Sequence, residues 1–397
     1  MMKKSGLIIV LMLFIFTAGH LTFFNDNILS VQESFAQKKK GKGKKKGASK
    51  GGAGKAELKS GKEQPWVDGG EKFLAISLSS DGKTAVSVSM DGIIKFWDVE
   101  SGKITRLIRH GGKLSAAAFL EDKKIVMASD WAHEGNITML DLSTGKKVAT
   151  RLGHKGGVTT VAFLPGGKSA LSGGWDSQMM LWGGEHGEIA LILKEHDGAI
   201  RSMSVSQDRA MMASGSADGK IKVWDMKGEG QVVKKIKAHK KGVLLVAFSP
   251  DGRFILSGGE EKEKGKMMGI LPGKKTVYPI KIWDAATGKP ILVDKKKKSL
   301  GEHAVELTLL RYSPDGKLAL SGDKDGVLKL WDVTAQTELR TFDGRKGGIE
   351  TGVFSSDGRF VLAGGAGALT LWETETGKVV ASGAAPAEIA TSTPAAP

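Results

Sequence analysis

The chain has 397 residues, 40% of them hydrophobic and 26% charged, which suits an ordinary globular protein of one large or two average domains. It has no cysteine, which excludes disulfides, thiolate metal sites and cysteine nucleophiles together. The net charge of +16 is uneven: residues 1–62 hold 13 lysines against 3 acidic residues, so the remainder carries only +6 and the basicity belongs to an N-terminal arm.

Lys3 and Lys4 precede an unbroken apolar run from Leu7 to Phe16, the shape of a secretory signal peptide. The small-x-small stretch Ser34-Phe35-Ala36 places cleavage after Ala36, so residues 1–36 read as a signal peptide. An uncleaved signal anchor is the alternative; a spanning helix needs roughly 20 apolar residues, and His20, Asn25 and Asp26 interrupt this one. The expected location is therefore extracytoplasmic: periplasmic, secreted or membrane-anchored. Residues 37–62 are almost only Lys, Gly, Ala and Ser and have nothing to bury, so they read as a disordered linker. It serves either as a solvated tether or as a polycation that docks on an acidic envelope polymer or anionic lipid. No aromatic residue interleaves the lysines, which favours the tether, and sequence-specific nucleic acid is not an expected partner. The Ala-, Pro- and Thr-rich tail 384–397 also reads as disordered.

Between these ends the chain repeats. The segments FWDVESG, MLDLSTG, LWGGEHG, VWDMKGEG, IWDAATG, LWDVTAQ and LWETETG align on Trp97, Leu140, Trp182, Trp224, Trp283, Trp331 and Trp372. The steps are 43, 42, 42, 59, 48 and 41 residues, close to the period of a four-stranded propeller blade. Each period opens on an apolar strand such as FLAISLS, VTTVAFL or VLLVAFS. A turn such as SSDGKT, SPDGRF or SPDGKL follows, in which Pro presets φ, Asp bonds its own backbone and Gly takes the left-handed position. A second β-rich run, the Trp strand and a last strand complete the unit. Four short strands with no room for a helix make one antiparallel blade, and radial packing buries both of its faces. The expected fold is all-β: a seven-bladed β-propeller of four-stranded antiparallel blades over residues 63–383.

These residues resemble the WD-repeat propeller family. Its Trp-Asp pair stands here as Trp97-Asp98, Trp224-Asp225, Trp283-Asp284 and Trp331-Asp332. The family's hydrogen-bonded His–Ser/Thr–Asp–Trp set is matched by His154, Ser172, Asp176 and Trp182; by His196, Ser214, Asp218 and Trp224; and by His303, Ser321, Asp325 and Trp331. The spacings are 18, 4 and 6 in all three. The other repeats depart. The first has Gly69 at the His position, and the second has His110 but Leu140 for Trp. The fifth has His239, Ser257 and Trp283 and no Asp at that offset, and the seventh keeps only Trp372. The resemblance implies that His110, His154, His196, His239 and His303 are structural, and that the protein is an interaction platform presenting loops to protein partners.

The sequence holds no phosphate loop, no G-x-S-x-G elbow and no H-E-x-x-H, so no catalytic residue, metal or cofactor is expected. Asp130, His133 and Glu134 are close enough to suggest a metal but lack further ligands nearby and read as a polar loop. The alternative function is an extracytoplasmic hydrolase-like propeller with its site in the central channel. Trp131 and Trp175 lie outside the repeat pattern in adjacent loops, and exposed tryptophan is favoured at interaction hot spots; each could instead pack over its own turn.

Two further expectations concern the ends and the fifth repeat. Residues 378–382 (KVVAS) suit the seventh blade's outer strand; residues 63–67 align with the same position and are the alternative. In the fifth repeat the distance from Ser249 to Trp283 is 34 where the first, third, fourth and sixth show 18, so 16 residues are inserted within 260–279. A shorter insertion is expected after that blade's fourth strand, containing Lys295, Lys296, Lys297 and Lys298. The resemblance puts both insertions side by side on one face. Together with Lys262, Lys264, Lys266, Lys274 and Lys275 they form either tolerated loops or a basic docking patch for an acidic partner, with Met267, Met268, Ile270, Leu271 and Tyr278 as its apolar contact.

Overall fold

The computed structural model describes residues 72–382, apart from residues 111, 121–123, 130–134, 152, 165–168, 184–187, 209, 228–229, 268–270, 293–298 and 343–346. The expected signal segment, the lysine-rich linker, the alternative closing strand 63–67 and the C-terminal tail therefore lie outside the described residues, as do Trp131 and the Asp130, His133 and Glu134 loop.

The first blade shows how the repeat folds. Its strands Phe73–Leu78, Thr84–Ser89, Ile93–Asp98 and Ile104–Arg109 pair in that order, each antiparallel to the next. The turn between the first two is fastened as its composition requires. Ser79 Oγ donates to Asp81 at 2.6 Å, Lys83 N donates to the same carboxylate at 3.0 Å, and Gly82 takes φ of 69°. Aspartates 208, 251, 315 and 357 repeat the Ser-to-Asp bond in later blades. The Asp of the Trp-Asp pair does the same for the turn after the third strand: Asp98 accepts Ser101 N at 2.8 Å and Ser101 Oγ at 2.5 Å.

Seven sheets of this kind are present among the described residues. Six are four-stranded antiparallel blades; the fifth in chain order has five strands. Middle strands are buried, whereas outer strands such as Ile104–Arg109 are almost wholly exposed. This gradient arises because each blade is covered on both faces by its neighbours. The buried apolar residues form one cluster at every junction between neighbours, and the last cluster joins Phe73 and Trp97 to Leu362, Leu369 and Ala381, which closes the ring. Each junction receives the fully or nearly buried Trp of one blade, except that between the first and second, where Leu140 takes its place. The seventh blade takes its outer strand Val379–Ser382 from the C-terminal side, paired with Thr370–Trp372.

The expectation of four strands fails only in the fifth blade. Its inserted residues form a β-ribbon: Glu261–Met267 pairs in unbroken antiparallel register with the start of a 14-residue strand, Leu271–Asp284. The far half of that long strand, Ile280–Asp284, is the ordinary third strand against Phe254–Gly259. The second insertion does not follow the fourth strand; it divides it. Pro290 bridges Trp283 and Ile291 N donates to Ile282 O at 2.9 Å, then the chain leaves and returns at Leu300, whose N donates to Ile280 O at 2.7 Å. Gly301–His303 continues the pairing along Tyr278–Ile280. The junction of the insertion therefore stands on the outer edge of the blade rather than in the loop leading to the next one, and Lys295–Lys298 lie outside the described residues.

Candidate functional site

In an antiparallel blade, the turns joining the first to the second strand and the third to the fourth share one face of the ring. The loops joining the second to the third strand, and one blade to the next, share the other. The histidine sets sit on that second face. His154 Nδ1 lies 3.0 Å from Asp176 and its Nε2 lies 2.7 Å from Ser172 Oγ, which also accepts Trp182 Nε1 at 2.7 Å. His196 repeats this with Asp218 at 2.9 Å and Ser214 at 2.7 Å, and Trp224 donates to Ser214 at 2.8 Å. The serine accepts from Trp, so its own proton goes to Nε2, and Nδ1–H donates to the carboxylate. Burial pushes the His303 and His239 imidazoles below their ordinary value, despite the raising effect of Asp323 and Glu261 respectively. Burial alone would raise Asp218, but the hydrogen bonds from His196 and Lys220 N outweigh it and hold its pKa at about 2.

Two sets differ from the sequence expectation. His303 Nδ1 bonds Asp323 at 2.8 Å, not Asp325, while its Nε2 and Trp331 Nε1 meet Ser321 Oγ at 2.8 and 2.7 Å. The reason lies two residues before the expected aspartate. That position is Gly174 in the third blade, where a Cβ would come within 2.5 Å of His154 Nδ1. In the sixth blade the position is an aspartate, which reaches the imidazole directly from the strand end. Asp323 is buried and also accepts Asp325 N and Val327 N at 3.0 and 2.9 Å, whereas Asp325 is exposed. Asp323→Ala should thus cost about 2–4 kcal/mol by stranding an imidazole N–H and two backbone N–H groups, and Asp325→Ala less than about 0.5 kcal/mol. Urea denaturation of the two variants checks this, and equal losses would return the role to Asp325. In the fifth blade the offset that lacks Asp holds Glu261, whose Oε1 stands 3.5 Å from His239 Nδ1, a longer contact, while Ser257 accepts Trp283 at 2.8 Å. Its contacts with His239 and Lys281 hold Glu261 at a pKa of about 2.

The sequence reading missed a further set of residues. Lys95, Lys222, Lys281 and Lys329 each stand two before a Trp, in IKFWD, IKVWD, IKIWD and LKLWD. Lys222 is buried, and its Nζ bonds the carbonyl of Glu195, just before His196. Lys281 Nζ bonds Ala238 O, just before His239, at 2.9 Å, and also Glu261. Lys222 and Lys281 therefore fasten the loop that carries the histidine, and the recurring I-K-x-W was the signal. In all, these histidines are committed to holding blades together. Of the expected contact residues, Trp175 is 45% exposed on the loop face beside Asp176. Lys262, Lys264 and Lys266 lie on one strand of the ribbon and Lys274 and Lys275 on the other, with Lys264 directly opposite Lys274. Among the described residues no group of three or more His, Asp or Glu side chains could hold a metal, and no helix is long and apolar enough to cross a membrane.

Four-stranded blades closed into a ring and locked by His–Ser–Asp–Trp sets define a β-propeller of the repeat type. The WD domain, G-beta repeat model matches residues 69–98, 145–183, 187–225, 230–262 and 294–332, and the chain belongs to the WD-repeat family. The matches skip the second and seventh blades, which lack a full set, and the fourth of them ends where the ribbon begins. The small ribosomal subunit protein RACK1y of Oryza sativa subsp. japonica is 27% identical over 65% of this chain and 74% of its own length. The apoptotic protease-activating factor 1 of Rattus norvegicus is 25% identical over 65% of this chain but only 19% of its own length. For periodic tryptophan protein 2 of Arabidopsis thaliana the figures are 24%, 67% and 29%.

Proposed function

We propose that the chain is an exported, non-enzymatic scaffold that docks protein partners through the loop faces of its propeller. WD-repeat propellers are typically protein-interaction scaffolds, and the histidines and acids of the matched sets here are spent on internal bonds. The observation that carries the reading is the ribbon of the fifth blade. It prolongs the third strand by the seven residue pairs from Glu261↔Val277 to Met267↔Leu271, a reach of about 20 Å. It holds five lysines and is too regular to be slack chain. Beside its base, the fourth strand is interrupted between Ile291 and Leu300, and the residues between them in sequence include Lys295–Lys298. Together they form a basic docking element for an acidic partner, with Trp131 and Trp175, in the adjacent second and third repeats, as separate aromatic contacts. The N-terminal segment carries the protein out of the cytoplasm, and the lysine-rich linker tethers it or docks on anionic lipid or an acidic envelope polymer.

The hydrolase-like alternative requires a base and a nucleophile in the channel. The cavity there, described below, is lined by serines but by no His, Asp, Glu or Lys, which weighs against it.

The test is to replace residues 260–279 with a tight turn and, separately, Lys295–Lys298 with Ser. Proteins captured from membrane and soluble fractions by the parent should be lost or weakened at least tenfold with both variants. Capture by the parent should also fade as salt is raised. Unchanged capture by both variants would overturn the docking role.

A further inference from the structure

Among the described residues, the turn-face end of the central channel holds a charged side chain, Arg311, that no fold requirement explains. The innermost strand of each blade lines the channel, and one position near its turn end is occupied by Ser77, Ala118, Ala162, Ser204, Ala247 or Val353 in six blades. In the sixth blade it is Arg311, on the strand Leu307–Tyr312. Its neighbours Leu309 and Leu310 are buried in the junctions on either side, but Arg311 is exposed. Its surroundings nonetheless exclude enough solvent to lower the guanidinium's pKa. The cavity Arg311 lines draws Ser204, Ala247 and Val353 from the inner strands of three other blades, which places it at the channel. No hydrogen bond or ion pair to Arg311 is formed among the described residues.

Arg311 lines a cavity of about 450 Å³ at the turn face, opposite the histidine sets, with Ser204, Ser313, Phe248, Phe354 and Tyr312 among its walls. Tyr312 also lines the cavity, and its hydroxyl is buried with no hydrogen-bond partner among the described residues. An arginine presents a planar fork that matches carboxylate or phosphate. The mouth decides between them. The turns that frame it carry Asp208, Asp251 and Asp315 together with Arg253 and Lys317, the latter 3.8 Å from Asp315, so the mouth adds no net positive charge to that of Arg311. One guanidinium neutralises one negative charge, so a dianion would be left there with a charge to spare. A monoanion with an apolar stem suits both the single cation and the phenylalanine walls.

We infer that Arg311 makes the turn-face mouth of the channel a binding site for a carboxylate group, supplied by the C-terminus of a protein partner or by a free monocarboxylic acid. The site is independent of the basic ribbon, and only the choice of a protein source rests on the scaffold reading. The test titrates the full chain, at constant ionic strength and pH 7.5, with four probes: acetate, the peptide acetyl-Gly-Ala-Ala with a free C-terminal carboxylate, the same peptide amidated, and inorganic phosphate. The readout is the NMR signal of the Arg311 side-chain Nε–Hε, with calorimetry for affinity. Acetate and the free-carboxylate peptide should shift the signal saturably, the amide should not, and phosphate should bind more weakly than either carboxylate. Arg311→Gln should weaken carboxylate binding at least tenfold, and Arg311→Lys should recover only part of it. Peptide binding at least tenfold tighter than acetate assigns the source to a protein terminus; equal affinities assign it to free acids, which leaves the site standing without the scaffold. Equal titration by peptide and amide, tighter binding of phosphate, or undiminished binding by folded Arg311→Gln protein would overturn the inference. The amide comparison needs no substitution, so it remains decisive if the variants fail to fold.

Discussion

Removal of residues 378–397 should lower the melting temperature by on the order of 10 °C, while removal of residues 1–67 should change it far less. The first deletion takes away the outer strand Val379–Ser382, leaves the edge of Thr370–Trp372 unpaired and uncovers the junction that contains Ala381. That junction is also where the ring must close without a peptide link between the last blade and the first. Besides the apolar cluster, it has the Glu350 carboxylate accepting Phe73 N at 2.7 Å and Ser356 Oγ donating to Ser80 O at 3.2 Å. Calorimetry on the two truncated chains checks the expectation. If the N-terminal deletion proves the more damaging, the outer strand is supplied from residues 63–67 after all.

Gly219→Ala should cost about 3 kcal/mol, against about 1 kcal/mol for Gly82→Ala. Both glycines have positive φ, 79° and 69°. A Cβ at Gly82 would meet nothing within 4 Å, whereas at Gly219 it would lie 2.3 Å from His239 O, a backbone atom of the next blade. Gly219 O in turn accepts Ala238 N and His239 N at 3.0 and 3.1 Å. The glycine thus lets the loop of the fourth blade press against the chain entering the fifth. The φ penalty is common to the two variants, so the difference between them measures that contact. Denaturant titration of both gives it directly, and equal costs would reduce Gly219 to an ordinary turn residue.

The blade itself was legible in the sequence because each of its devices is local. Ser-x-Asp-Gly closes a turn within four residues, and the Trp strand is fixed by apolar periodicity. The histidine sets were half legible. Spacing alone pointed to Asp325, but the competing carboxylate at Asp323 becomes visible only when the strand end is seen against the imidazole. At the fifth repeat, a search for Asp passed over Glu261, which stands at the right offset with a longer side chain. The split of the fourth strand was hidden for a different reason. A count of residues reveals that an insertion exists but not which hydrogen bonds flank it, and those belong to Ile291 and Leu300. Arg311 was invisible because a lone arginine in LTLLRYS gains meaning only when the other blades bring small or apolar residues around it.

The seam between the last blade and the first has a consequence for ancestry. Each four-stranded blade is one unbroken stretch of sequence, the seventh included, since its outer strand follows its own third strand. Among the described residues, no strand is shared between the two ends of the ring. Duplication or loss of one stretch of about 42 residues would therefore add or remove a whole blade and leave every remaining ladder intact. The ends of such a ring are free to drift in length and composition, while the fifth blade, whose additions prolong its third strand and divide its fourth, records growth within a unit rather than between units.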